Sequence, residues 1–312
     1  MLLKKDVSFI LSEKQKMIPF FLLVLAFLLN GCRKEEELIY LDDVRTIEIT
    51  KNIHIDNGII IRDPVFNYIT YNNFLRYLSS SDRFLIVEQK DLEKTTSNDK
   101  VIVSIRHDID DNINSAIKFA YFEKKYGIKS TYFILHTARY YGETVIDSFK
   151  RNNNIIYYIK KIQDAFGHEI GWHNDLVTLQ IVYNLDSRKF LKDELEWLRG
   201  NNINIVGTAS HGSGYCYTYH YVNIFFWKEH KEVGGQFYNF EFVPKDGKNI
   251  YIEKDSLKNY NFEYETNLMK TDYFFADVQN KNGKRWNMSM VDFDTIKPGK
   301  KVVILLHSQH WD

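Results

Sequence analysis

The chain has 312 residues, of which 44% are hydrophobic and 15% aromatic, so it can bury the core of one large domain or two small ones. Lys plus Arg and Asp plus Glu both total 41, and the basic residues form no stripe. Charge therefore gives no support for a nucleic-acid partner, and it leaves the oligomeric state open.

The N-terminal segment has the features of a bacterial export signal. Lysines precede the apolar run Ile18–Leu29, which is short for a membrane span but suits a signal-peptide core. The L-N-G-C sequence ending at Cys32 resembles the lipobox of bacterial lipoproteins. We therefore expect a signal peptide at 1–31, lipidation of Cys32, a tether at 32–66, and a lipid-anchored protein of the cell envelope, at the outer membrane or cell surface. The alternative is an uncleaved anchor helix with an incidental Cys.

In the rest of the chain, 67–312, the pattern of apolar residues predicts one domain in which strands and helices alternate. This order is typical of an α/β fold with a mainly parallel sheet. The 212–270 region is rich in aromatic residues and is interpreted as an elaborated connection. The predicted helices are Tyr68–Leu78, Asn112–Tyr126, Ile155–Phe166 and Leu185–Arg199, and the predicted strands are Phe84–Val87, Val101–Ile105, Ser130–Leu135, His168–Trp172, Ile203–Ala209, Tyr273–Ala276 and Val302–Leu306.

Five of these strands end in groups that can ligate a metal or transfer a proton. At the carboxyl ends of parallel barrel strands such groups lie on one face of the molecule, so residues two hundred positions apart could meet there. The alternative for the polar residues after the Val101 strand is a simple strand-to-helix turn, in which Asp111 or Asn112 caps the next helix. That would be enough to explain one polar residue, but not several. The strand-end groups are Asp108, Asp110, His173, His211, Asp277 and His307.

The chemistry of these groups favours metal-assisted hydrolysis. Carboxylates and imidazoles are ligands for Zn²⁺, with Co²⁺ or Mn²⁺ as alternatives, and enough groups remain for a general base and a general acid. No Ser or Cys lies in a nucleophile elbow, which argues against covalent acyl transfer.

Four segments resemble the motifs of the polysaccharide deacetylases, the NodB-homology family also known as carbohydrate esterase family four. R-H-D-I-D at 106–110 is similar to the R-x-D-x-D variant of the first motif, and G-H-E-I-G-W-H at 167–173 is close to the second. I-L-L-H at 304–307 resembles the final L-x-H motif, and T-Y-F at 131–133 resembles the T-F-F strand. The resemblance implies a distorted (β/α)7–8 barrel and the removal of an N-acyl group, in particular acetyl, from a glycan or cell-envelope polysaccharide.

The resemblance also implies a role for each matching residue. Asp108 would be the general base, Asp110 and His173 would bind the metal, and His307 would be the general acid. The first motif can also be aligned so that His107-Asp108 matches the Asp-Asp pair of the family, which would make Asp108 a metal ligand. We prefer the first alignment, because Asp108 and Asp110 are two positions apart at a strand end and so share a face. Supporting roles are expected for His107, which adjoins the base in the sequence, and for Asp277, Arg285 and Trp286. Asp277, with Arg285 and Trp286 nearby, could orient His307 or the base, and a surface salt bridge is the alternative.

The chain departs from the family pattern at one metal ligand. Where the second motif continues to another His, this chain has Val177. We expect His211, which has glycines at 212 and 214, to take that place, and Asn174 and Asp175 are weaker candidates. If nothing replaces the ligand, the domain would be a catalytically impaired, glycan-binding lipoprotein. Hydrolysis of a small amide is a third reading.

Overall fold

The computed structural model describes residues 67–145, 148–219, 221–231, 252–278 and 286–311. The predicted signal peptide, the tether, Cys32 and Arg285 lie outside these residues. None of the described helices is both long enough and apolar enough to cross a membrane.

The described residues form one eight-stranded parallel sheet and one small hairpin. Seven strands of the sheet are curled into an open half-barrel, in agreement with the predicted distorted barrel. The strands are β1 (Phe84–Ile86), β2 (Val101–Ile109), β3 (Thr131–Leu135), β4 (Gly142–Val145), β5 (Ser148–Arg151), β6 (Glu169–Asn174), β7 (Ile205–Ser210), β8 (Tyr264–Glu265), β9 (Tyr273–Ala276) and β10 (Lys301–His307).

The strand order across the half-barrel is β8-β7-β6-β3-β2-β10-β9, and the short β1 pairs with the first residues of β2. The hairpin is formed by β4 and β5, which pair antiparallel. Strand β2 is a central strand of the sheet. It pairs with β10 along one edge, and with β1 and then β3 along the other. All nine β2 residues are buried, as expected for a parallel strand covered on both faces.

The helices mostly begin and end with the signals visible in the sequence. Asn67, Asn112 and Asp186 accept backbone N–H bonds as N-caps of the three longest helices. Gly127, with φ of +67°, follows the second of these, where an L side chain would be strained. The helices are α1 (Tyr68–Ser80), α2 (Gln89–Leu92), α3 (Ile113–Lys125), α4 (Ile155–Lys160), α5 (Leu176–Ile181), α6 (Ser187–Gly200) and α7 (Gly214–Thr218).

The α/β order of the sequence prediction is confirmed, and several details differ, among them the short helices α2, α5 and α7 and the strand β8, which were not predicted. The helix predicted at 155–166 is α-helical only to Lys160 and continues as a π-helical turn over Lys161–Ala165. The hairpin β4–β5 was not predicted, because its exposed and half-buried residues give no apolar run. Strand β2 extends to Ile109, beyond the apolar run, since the polar residues Arg106 to Asp108 remain in register with β3 and β10.

Candidate metal and proton-transfer site

The six strand-end residues of the sequence prediction all lie at the carboxyl edge of the half-barrel. Asp108 is paired in register with His307 across β2 and β10, and β3 alone separates β2 from β6, which carries His173. The backbone N–H of His211, just after β7, donates to the carbonyl of Asn174 at the end of β6. The sheet order therefore brings residues from distant parts of the sequence to one place.

Asp110, His173 and His211 form a compact set of metal-donor atoms. Asp110 Oδ1 lies 3.3 Å from His173 Nε2 and 3.5 Å from His211 Nδ1, and the two imidazole nitrogens are 3.1 Å apart. One donor atom from each residue lies within 4.8 Å of the other two. Two imidazoles and one carboxylate match the three protein ligands of catalytic zinc sites.

The hydrogen bonds of His173 orient its ring for metal binding. His173 Nδ1 lies 2.9 Å from the carbonyl oxygen of Ala209. A carbonyl can only accept, so Nδ1 carries the proton and donates, and in the neutral ring Nε2 presents a lone pair to Asp110 and His211. An imidazole whose second nitrogen donates to a backbone carbonyl is a common arrangement around bound metals.

Asp110 shows the clearest sign that the cluster fits a cation. Its Oδ1 atom is buried and, within the described part of the chain, has no contact that meets hydrogen-bond criteria, although the imidazole nitrogens of His173 and His211 face it at 3.3 and 3.5 Å. Its other oxygen, Oδ2, accepts a 3.2 Å bond from Gln309 Nε2. A buried carboxylate oxygen without a hydrogen-bond donor is costly, and a divalent cation would satisfy it. The donor set therefore fits a metal ion, without indicating which one.

Electrostatics keep this carboxylate charged. Burial alone would raise the pKa of Asp110, but its interactions with His173 and with His211 and His307 hold the pKa well below its usual range. Burial lowers the pKa of His173, but the neighbouring carboxylates of Asp108 and Asp110 have the larger effect, so the pKa of His173 is raised above its usual value. Asp110 is thus ionised and able to ligate a cation at neutral pH.

Asp108 is buried beside the donor set and paired with a guanidinium. Only 3% of Asp108 and 2% of Arg106 is exposed. Burial favours the neutral acid, but the charges of Arg106 and His173 hold the pKa of Asp108 below its usual value. The second oxygen, Oδ2, lies 3.4 Å from His173 Nε2, so the carboxylate adjoins the donor set. Arg106 also donates to Asn267 Oδ1 at 2.9 Å, which fixes the far side of the guanidinium.

His307 faces the donor set from the other side and is held by Asp277. Its Nδ1 lies 2.6 Å from Asp277 Oδ1, and its Nε2 points towards Asp110 Oδ2 at 3.8 Å. Asp277 Oδ2 accepts bonds from the backbone N–H of His307 and from Trp311 Nε1. Burial lowers the pKa of His307, but the bond to Asp277 and the nearby carboxylates raise it above its usual value. His307 is therefore suited to donating a proton.

Val177 occupies the position where the motif that 167–173 resembles would continue to a histidine, and here it is a core residue. Val177, at the start of α5, is fully buried, and its backbone N–H donates to Asn223 Oδ1. The Asn223 amide also donates to Asp175 Oδ1 and to the backbone carbonyl of His211. The bond to His211 ties the third donor to the segment after β6. Asn223 is a supporting residue that the sequence analysis did not find, because nothing in its flanking sequence marks it as polar and buried.

Two predicted supporting residues lie elsewhere. His107 points to the opposite face of β2 from Asp108, because successive strand residues alternate. Its Nε2 lies 2.6 Å from Glu123 Oε1 and its ring stacks on Tyr132, so the expectation that it supports the base is wrong. Trp286 stacks on Phe275, and the tryptophan that contacts Asp277 is Trp311.

No protein-family model matches the chain. No curated protein and no solved structure matches it either. The fold and the side chains described above are therefore the basis for assigning a function.

Proposed function

We propose that this protein is a metal-dependent hydrolase that removes an N-acyl group, in particular acetyl, from a glycan. The observation that carries the proposal is Asp110 Oδ1, a buried carboxylate oxygen that faces the nitrogens of His173 and His211 and, among the residues described, lacks a hydrogen bond of good geometry. Zn²⁺ is the ion we expect, and Co²⁺ or Mn²⁺ would also suit these ligands. When bound, the ion supplies a Lewis acid that lowers the pKa of a water nucleophile from ~15.7 to about 7.

The remaining groups divide the proton transfers between them. Asp108, kept ionised by Arg106, accepts the proton of the attacking water. His307, kept protonated by Asp277, donates a proton to the leaving amine nitrogen. The acyl carbon gains an oxygen from water and loses its bond to nitrogen, and the products are a carboxylate and a free amine. Such a base and acid each contribute roughly 10²- to 10⁴-fold to the rate.

The choice of a glycan amide rests on the motif resemblance, since the geometry alone is compatible with other C–N bonds. The loss of the family ligand at Val177 was the main argument for an impaired, glycan-binding protein. The position of His211 weakens that argument, because its Nδ1 completes a set of three donors. Location at the cell envelope, through a lipid on Cys32, is proposed from the sequence alone.

The test is release of acetate from N-acetylated sugar oligomers by the full chain reconstituted with Zn²⁺. We expect turnover by the wild-type protein and loss of at least ~100-fold in Asp108→Asn and in His307→Ala. Glycan binding by calorimetry without any acetate release would favour the binding protein. Near-wild-type turnover in either variant would refute the assigned roles.

A further inference from the structure

A second group of donor atoms lies next to the proposed metal site. Asp277, His307 and His310 each place one ligand atom within 4.8 Å of the other two. Side-chain exposure is 0% for Asp277, 11% for His307 and 18% for His310. His310 Nδ1 is itself buried, and its nearest polar contact among the described residues is Asp277 Oδ2 at 3.3 Å, in a geometry that does not meet hydrogen-bond criteria. His310 has no part in the proposed reaction, so this buried nitrogen needs a separate explanation.

The hydrogen bonds of Asp277 leave room for a cation at one oxygen only. Oδ2 accepts the backbone N–H of His307 and the indole N–H of Trp311. Among the residues that the structure describes, Oδ1 accepts a hydrogen bond from His307 Nδ1 alone, at 2.6 Å. A cation that replaced this proton between Oδ1 and His307 Nδ1 would lie in a group where Asp277, His307 and His310 each offer a donor atom within 4.8 Å of the others, and it would leave both bonds to Oδ2 in place. One carboxylate and two imidazoles again form the ligand set of zinc.

We propose that Asp277, His307 and His310 form a second zinc site, filled only at excess zinc, that inhibits the enzyme. Inhibition rests on the proposed function, whereas binding of the second ion does not. On binding, the bond from His307 Nδ1 to hydrogen breaks, the proton passes to solvent, and the nitrogen lone pair forms a bond to zinc. His307 then keeps only the Nε2 hydrogen of a neutral, zinc-bound imidazole, which is a much weaker acid than the imidazolium and protonates the leaving amine far more slowly.

The two sites should fill in order. Zinc binding at Asp110 Oδ1 breaks no hydrogen bond of good geometry among the described residues. The ring of His173 is also already oriented there by the carbonyl of Ala209. At Asp277 the ion must replace a short hydrogen bond. A hydrogen bond that orients a ligating imidazole, such as the one from His173 Nδ1 to the carbonyl of Ala209, contributes about 10- to 100-fold to metal affinity. The first zinc therefore activates and the second inhibits.

The experiment measures bound zinc in the full chain by equilibrium dialysis and elemental analysis as free zinc is increased. We expect the wild-type protein to bind one zinc and then a second. His310→Phe keeps a ring but removes the nitrogens, and His310→Asn serves if the first variant does not fold; both should stop at one zinc. His173→Ala should lose the tight zinc and keep the weaker one. The matched control, His230→Phe, removes an imidazole outside both donor sets and should still bind two.

Activity is read in the same titration. Wild-type acetate release should rise and then fall by at least tenfold as the second zinc binds, and in His310→Phe the fall should disappear. A wild-type protein that binds one zinc throughout, or a second zinc that survives in both His310 variants, would overturn the proposed site. A second zinc that depends on His310 but leaves turnover unchanged would overturn its inhibitory role. If no variant releases acetate while the second zinc still depends on His310, only the proposed function fails.

Discussion

Arg106 and Asp108 lie two positions apart on one strand and form a bidentate ion pair, with Arg106 Nε donating to Oδ1 and Nη2 donating to Oδ2, each at 2.7 Å. Both side chains are almost fully buried, so neither charge has water as an alternative partner. The pair therefore fixes the orientation of the proposed base, and each residue makes the burial of the other possible.

Breaking this pair should cost stability as well as activity. We expect Arg106→Met to lower the free energy of unfolding by about 3–5 kcal/mol, because it leaves the buried carboxylate of Asp108 without a partner. The double variant Arg106→Met/Asp108→Leu removes both charges and should recover most of that loss while remaining inactive. Urea unfolding of the wild type, Arg106→Met and the double variant measures the effect. Equal stability of Arg106→Met and the wild type would show that the charge of Asp108 does not need Arg106 as a partner in the folded protein.

Metal binding should depend on His211 and not on Val177. We expect His211→Ala to weaken zinc binding by more than 100-fold, because it removes one of three donors. Val177→Ala should leave zinc affinity within a factor of three, although the cavity it creates should destabilise the fold by ~1–2 kcal/mol. Competition with a chromophoric chelator gives both affinities. Loss of zinc in Val177→Ala alone would point to another ligand set.

The pH dependence of turnover should follow the Asp277–His307 pair. The carboxylate of Asp277 helps to raise the pKa of His307, so Asp277→Asn should lower that pKa. The basic limb of kcat/KM, which reports loss of the His307 proton, should then move to lower pH. NMR titration of the His307 ring gives the pKa directly, with Tyr77→Phe as a distant control. A basic limb that stays in place would remove His307 from the role of acid.

The same pair should make stability depend on pH. The pKa of His307 is higher in the folded protein than the unfolded value of about 6.5. Its contribution to stability is therefore complete below about pH 6.5 and is lost as the pH rises through the folded pKa. In Asp277→Asn this loss should be smaller, as urea unfolding at a series of pH values would show. An unchanged profile would contradict the linkage.

A buried carboxylate on the other face of β2 should be a major source of stability. Glu123 of α3 is fully buried and is contacted by His107 and by the hydroxyls of Tyr71 and Tyr132. Tyr71→Phe should cost roughly 1.5–3 kcal/mol, because it removes a hydrogen bond to a charged group. Tyr77→Phe removes an exposed hydrogen bond to Asp294 and should change stability by less than ~0.5 kcal/mol. Equal effects of the two variants would contradict this interpretation.

The sequence predicted the strands and their polar ends because both follow from local patterns. The apolar run from Val101 and the groups at 108 and 110 are visible in one line of residues, and parallel strands bring such ends together. His211 was found the same way. The identity of neighbours across the sheet is not local, so the role of His107 was predicted wrongly: its partner, Glu123, lies on a helix against the opposite face. Trp311 and Asn223 were missed for the same reason, since each acts through a contact distant in the sequence.

The position of β10 between β2 and β9 sets an order of assembly. The three proposed metal donors all precede residue 212, whereas His307 is on a strand that pairs with β2 across about two hundred residues. Pairing over such a separation is slow compared with the formation of local elements. A folding chain would therefore gain its metal donors first and its proton donor last, and activity would report the docking of the final strand.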